Sequence, residues 1–129
     1  MSVDPIANAL TALKNSENAT KSTCKLRPAS KLLAEVLRVM KENGFIEGYE
    51  RVDDKGPGFY KIRLGGKLNE CRAIKPRYPV QKDEFEKFEK RYLPSRDVGI
   101  IIVSTSKGVL SHKKAKEQGI GGRLIAFVY

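Results

Sequence analysis

Apolar positions recur along this chain with two different periods. Ile6, Ala9, Leu10 and Leu13 fall at i, i+3, i+4 and i+7, one face of a helix. Asp4 and Pro5 sit just ahead of them. Asp4 can cap free N–H groups, and Pro5 suits the first helical position, where its missing N–H costs nothing. The polar run 15–21 predicts the end of that helix. Residues 22–27 alternate, with Cys24 and Leu26 inward, and predict a short strand. Pro28-Ala29-Ser30 closes the strand, and Ser30 is placed to cap a second helix whose apolar face is Leu33, Val36, Leu37 and Met40. Asn43-Gly44 stops this helix.

The period then switches to two. Residues 45–52 read as a strand, 53–58 as a turn and 59–64 as the hairpin partner, with Tyr60, Ile62 and Leu64 on one face and Lys61 and Arg63 on the other. Another strand is predicted over 69–75. Pro76 and Pro79 punctuate the chain and mark a boundary between lobes 1–75 and 76–129. A charged helix over 83–92 carries Phe85, Phe88 and Tyr92 on one side, a core stripe rather than a docking face, and Pro94 ends it. The remainder reads as a strand (98–103), a polar loop (104–108), a helix (111–118) and a last strand (124–129). The fold class is α+β. The N-terminal lobe is helix–strand–helix–strand–strand, and the C-terminal lobe is mostly β with a short helix. Neither lobe is large enough to be stable alone, so the two are expected to pack together.

Composition narrows the function. The 129 residues carry 25 Lys+Arg and 15 Asp+Glu, a net +10. Forty per cent are apolar, enough for a core, so the chain is no disordered basic tail. No window approaches the length of a membrane span, and no secretory signal is expected. Cys24 and Cys71 lie far apart without a CxxC, and His112 is the only histidine, so no zinc site is expected. The cysteines read as buried, reduced thiols. The charge is uneven: +1 over 1–50, +4 over 51–75, +1 over 76–97 and +4 over 98–129, where Glu117 is the only acid. An anionic partner is expected on the middle hairpin and the last third, nucleic acid first, with an anionic membrane surface or an acidic protein as alternatives.

Chemistry concentrates after the apolar run Ile100–Val103. Ser104-Thr105-Ser106-Lys107-Gly108 offers three hydroxyls, an ammonium and a glycine that admits close backbone approach. His112, Lys113, Lys114 and Lys116 follow, beside the N–H groups of a helix starting at Ser111. Gly119, Gly121 and Gly122 next to Arg123 supply a second close-approach point. Ser104 and Lys107 also fit the S-x-x-K spacing of a serine hydrolase, but the partner motifs are absent. Gly66-Lys67 lacks the rest of a phosphate loop, and Gly119-Ile120-Gly121 lacks the third glycine of a dinucleotide site. His112 has no partnered nucleophile and reads as a surface or RNA-facing residue. A general nucleic-acid module and a small Ser/Lys hydrolase stay open beside an RNA binder.

The sequence resembles the small-subunit ribosomal protein eight (S-eight) family over essentially its whole length. Asp4-Pro5-Ile6-Ala7 with Leu10-Thr11, Pro28-Ala29-Ser30-Lys31, Glu42-Asn43-Gly44-Phe45-Ile46, Val103-Ser104-Thr105-Ser106-Lys107-Gly108-Val109 and Gly119-Ile120-Gly121-Gly122 carry the resemblance. It implies a cytoplasmic, non-enzymatic constituent of the small ribosomal subunit. Such a protein binds the central domain of the rRNA, supports assembly and contacts neighbouring small-subunit proteins. It needs neither cofactor nor metal, does not engage membranes and is a monomer outside the ribosome. The implied contacts are Ser104, Thr105, Ser106, Lys107 and Gly108, with Gly121, Gly122 and Arg123 nearby. Pro28, Ser30, Lys31, Ser2 and Asp4 are secondary. Arg123, where bacterial members usually carry glutamate, and the helix over 83–92 point to the archaeal and eukaryotic branch.

Overall fold

The computed structural model describes residues 5–27, 30–53, 56, 58–95 and 97–129. The chain divides into two compact units, 1–71 and 72–129. Its class is α+β, with antiparallel sheets.

In the first unit, α1 spans Pro5–Asn18 and buries Ile6, Ala9, Leu10 and Leu13, the four residues of the predicted stripe. It outlasts the stripe. The polar residues after Leu13 keep hydrogen-bonding within the helix, and the chain turns away only at Thr20, which takes φ 56°. An apolar face shows which side of a helix is inward, not where the backbone stops. The strand β1 (Thr23–Leu26) alternates as expected, with Cys24 and Leu26 buried. In α2 (Lys31–Glu42) the Ser30 hydroxyl accepts from the Leu33 N–H at 3.1 Å, the predicted N-cap. At the other end Phe45 N–H donates to Met40 C=O and Gly44 N–H to Lys41 C=O, so this exit occupies Phe45. The next strand, β2 (Gly48–Val52), therefore begins three residues later than the alternation alone suggested. β3 (Phe59–Arg63) lies between β1 and β2, antiparallel to both. Tyr60 and Ile62 face inward while Lys61 and Arg63 are exposed.

The second unit is built on a sheet in the order β4 (Cys71–Ala73), β8 (Gly122–Val128), β6 (Ile100–Thr105) and β7 (Gly108–Ser111), with β5 (Pro79–Val80) also paired to β8. The short β4 (Cys71–Ala73) is all that forms of the strand predicted over 69–75. β5 (Pro79–Val80) was not anticipated, because Pro79 reads as a breaker. It pairs at the end of β8, opposite Arg123, an edge position where a missing N–H is tolerated. α3 (Phe85–Tyr92) buries Phe85 and Phe88, while half-buried Tyr92 stacks on Phe127 with ring centroids 5.3 Å apart. The core stripe reading of these aromatics holds. β6 (Ile100–Thr105) and β8 (Gly122–Val128) are the central strands, and residues 100–103 and 124–126 are buried on both faces. β7 (Gly108–Ser111) leads directly into α4 (His112–Gln118), capped by Ser111, whose hydroxyl accepts from Lys114 N–H at 3.2 Å.

Candidate nucleic-acid interface

The predicted polar loop 104–108 is a tight hairpin. Ser104 and Thr105 complete β6, Ser106 and Lys107 form the turn, and Gly108 opens β7. The correction has a physical cause: after residues 100–103, buried on both faces, the strand continues until Thr105 closes the turn on itself. The Thr105 hydroxyl donates to Gly108 C=O at 2.7 Å and accepts from Lys107 N–H at 3.1 Å. That hydroxyl is therefore spent inside the protein and braces the turn. Ser104, Ser106, Lys107 and Gly108 remain exposed.

Across the sheet, Ser104 lies directly opposite Arg123 of β8. Directly opposed residues share a face, so a hydroxyl and a guanidinium stand side by side next to the turn. Arg123 is exposed and forms no ion pair among the described residues. Lys113 and Lys114 are exposed in the first turn of α4. Because Ser111 occupies the Lys114 N–H, that amide is not offered outward. The second unit thus brings Ser104, Ser106, Lys107, Lys113, Lys114 and Arg123 onto one compact body. Ser30 and Lys31 belong to the first unit. Ser30 is committed to its cap, and Lys31 is exposed at the start of α2. Ser2, Asp4 and Pro28 lie outside the described residues.

Gly121 and Gly122 serve close approach of protein backbone. A Cβ on Gly121 would stand 2.2 Å from Val80 C=O, and one on Gly122 would stand 2.1 Å from Ser104 C=O. These glycines let β8 nest against β5 and β6, and so set where Arg123 and Ser104 meet.

His112 is the clear correction. Expected on the surface, its side chain is wholly buried. Its Nδ1 accepts from Ile101 N–H at 2.9 Å, which fixes the ring proton on Nε2 when the ring is neutral. Nε2 lies 3.0 Å from Glu89 Oε1. Glu89 is itself only 3% exposed and also binds the Lys116 ammonium. Burial pushes the imidazole well below its ordinary value, to about 4. Lys116 and Lys113 act in the same direction and Glu89 opposes them. The ring ties α3 and α4 to β6 and cannot face RNA. The helical pattern of 83–92 marked Phe85 and Phe88 but gave no sign that Glu89 is buried, since its partners come from distant segments.

The same commitment withholds the chain's one histidine from Ser104, because the ring is held by Ile101 and Glu89. No group of His, Cys, Asp and Glu able to hold a metal occurs among the described residues, and none of their helices is long and apolar enough to cross a membrane.

Exposed hydroxyls and cations thus gather at a hairpin edge that Thr105 braces from within. The model of the family described as ribosomal protein S8 matches residues 4–129, and the chain belongs to that family. Its members are small-subunit ribosomal proteins that bind rRNA, a structural family and not an enzyme family.

Proposed function

We propose that this protein binds the central domain of small-subunit rRNA through its C-terminal lobe and supports assembly of the subunit. The observation that carries the reading is the hairpin edge. Ser104 and Arg123 are directly opposed, Ser106 and Lys107 are exposed at the turn, and Thr105 holds that turn rigid from within. Such an edge fits an irregular RNA helix, whose shallow minor groove exposes 2′-hydroxyls and base edges. The Ser104 and Ser106 hydroxyls discriminate shape. Lys107, Lys113, Lys114 and Arg123 supply affinity through phosphates. Ser30 and Lys31 are a secondary contact from the N-terminal lobe, and Gly108, Gly121 and Gly122 shape the edge rather than touch bases. The free protein is a monomer, and neighbouring small-subunit proteins meet it only in the assembled particle.

The test is filter binding to a central-domain rRNA fragment, with a fragment from another rRNA domain and duplex DNA as competitors. Neutralising about five phosphates through Lys107, Lys113, Lys114, Arg123 and Lys31 contributes roughly −4 to the log K against log salt slope. Ser106→Ala is expected to lose about 1–3 kcal/mol on the central-domain fragment, from polar groups left unpaired in the interface. Equal affinity for duplex DNA, or full affinity in Ser106→Ala, overturns the reading.

A further inference from the structure

The basic middle hairpin lies in the first unit and forms part of a cationic surface there. In the three-stranded sheet of the first unit, one face carries Cys24, Leu26, Tyr60 and Ile62 and is buried. The other presents Lys25 and Arg27 from β1 and its exit, and Lys61 and Arg63 from β3, all exposed. Lys25 is directly opposite Lys61 in the ladder, and Thr23 is opposite Arg63. Like charges placed directly opposite destabilise a sheet, so this arrangement costs the free protein stability that a bound polyanion would restore. The single acid on this face among the described residues is Glu50, opposite Lys61 on β2. None of the four cations has an ion-pair partner among the described residues.

Two features hold the cations in place. The Lys25 ammonium and the Arg27 guanidinium lie over the Phe59 ring, 5.3 and 4.7 Å from its centroid. The Arg63 guanidinium lies across Gly48, where a Cβ would stand 2.3 Å from Nη2.

From this juxtaposition we propose that the outer face of the first unit's sheet is a second RNA surface, one that engages the phosphate backbone without reading sequence. The inference rests on the family's rRNA binding but not on the hairpin edge. A phosphate backbone fits better than a protein partner. The face is charged, its one aromatic is buried beneath two cations, and it lacks the exposed apolar anchors that form the centre of protein interfaces. Its cations are also spaced regularly, about 6.6–6.8 Å apart along β3 and closer between strands.

The experiment is salt-dependent binding of the full chain carrying Lys25→Gln, Lys61→Gln and Arg63→Gln to the central-domain fragment. The log K against log salt slope is expected to become shallower by about 2–3, with similar loss on unrelated RNA duplexes. Ser106→Ala in the same background should lower affinity without changing the slope, so failure at either surface is read separately. Urea midpoints report the fold, and Lys61→Gln alone, expected to shift the slope by about one, serves if the triple variant unfolds. A folded variant with the wild-type slope overturns the proposal. So does a variant that loses binding to polyglutamate while retaining its RNA slope, since the face would then serve an acidic protein.

Discussion

Replacing Gly122 by alanine separates two roles for the glycines before Arg123. If Gly122 exists to let RNA approach, the variant folds normally and binds poorly. The structure assigns the space to the protein instead: the new methyl would stand 2.1 Å from Ser104 C=O and 3.0 Å from Val103 Cγ1. A carbon and an oxygen in ordinary contact are about 3.3 Å apart, so β8 must move by about 1 Å. A movement of that size takes the neighbouring Val103–Leu124 and Ser104–Arg123 pairings outside hydrogen-bonding range. Overpacking costs about 1–3 kcal/mol, and two weakened ladder bonds add about 0.5–1.5 kcal/mol each, for a total of about 2–6 kcal/mol. Urea unfolding followed by far-UV circular dichroism measures it, with filter binding performed where the variant is still folded. A Gly122→Ala protein with the wild-type midpoint and m-value refutes the clearance argument, whether or not it binds RNA.

Two further outcomes follow from buried groups. His112 is the only histidine, and its folded-state value is depressed from 6.5 to about 4, so the unfolded chain takes up a proton that the native chain refuses. Its stabilising contribution is complete above about pH 6.5 and is lost as pH falls towards 4, a total of about 3 kcal/mol at about 1.4 kcal/mol per pH unit. Urea titrations between about pH 6.5 and 5, above most carboxylate titration, read this slope, and a flat profile refutes a neutral buried imidazole. Cys71 is 3% exposed, its thiol donates to Leu10 C=O at 3.2 Å, and burial pushes its titration up to about 12. An aromatic disulfide reagent at mildly alkaline pH should therefore leave Cys71 unmodified in the native protein and label it in urea. Rapid native labelling of Cys71 contradicts its burial.

Whatever depends on neighbours within a turn or two is legible along the chain. The stripe Ile6–Leu13, the Ser30 cap, the Asn43-Gly44 exit and the alternation at Tyr60 and Ile62 are local patterns, and each is formed by the backbone segment that displays it. Basic charge and the 104–108 motif located the candidate edge for the same reason: composition and residue type survive without coordinates. The tertiary structure decided what depends on strand partners. Pro79 joins a strand because β8 offers it an edge, and Thr105 turns inward because the chain doubles back at Ser106 and Lys107. Gly121 and Gly122 clear a path for β5 and β6. His112 lies in a stretch of lysines that reads as surface, yet α3 supplies Glu89 and β6 supplies the Ile101 amide, and together they bury it. Burial and clearance are properties of pairs of segments distant in sequence, and a periodicity measured along one segment carries no information about the other.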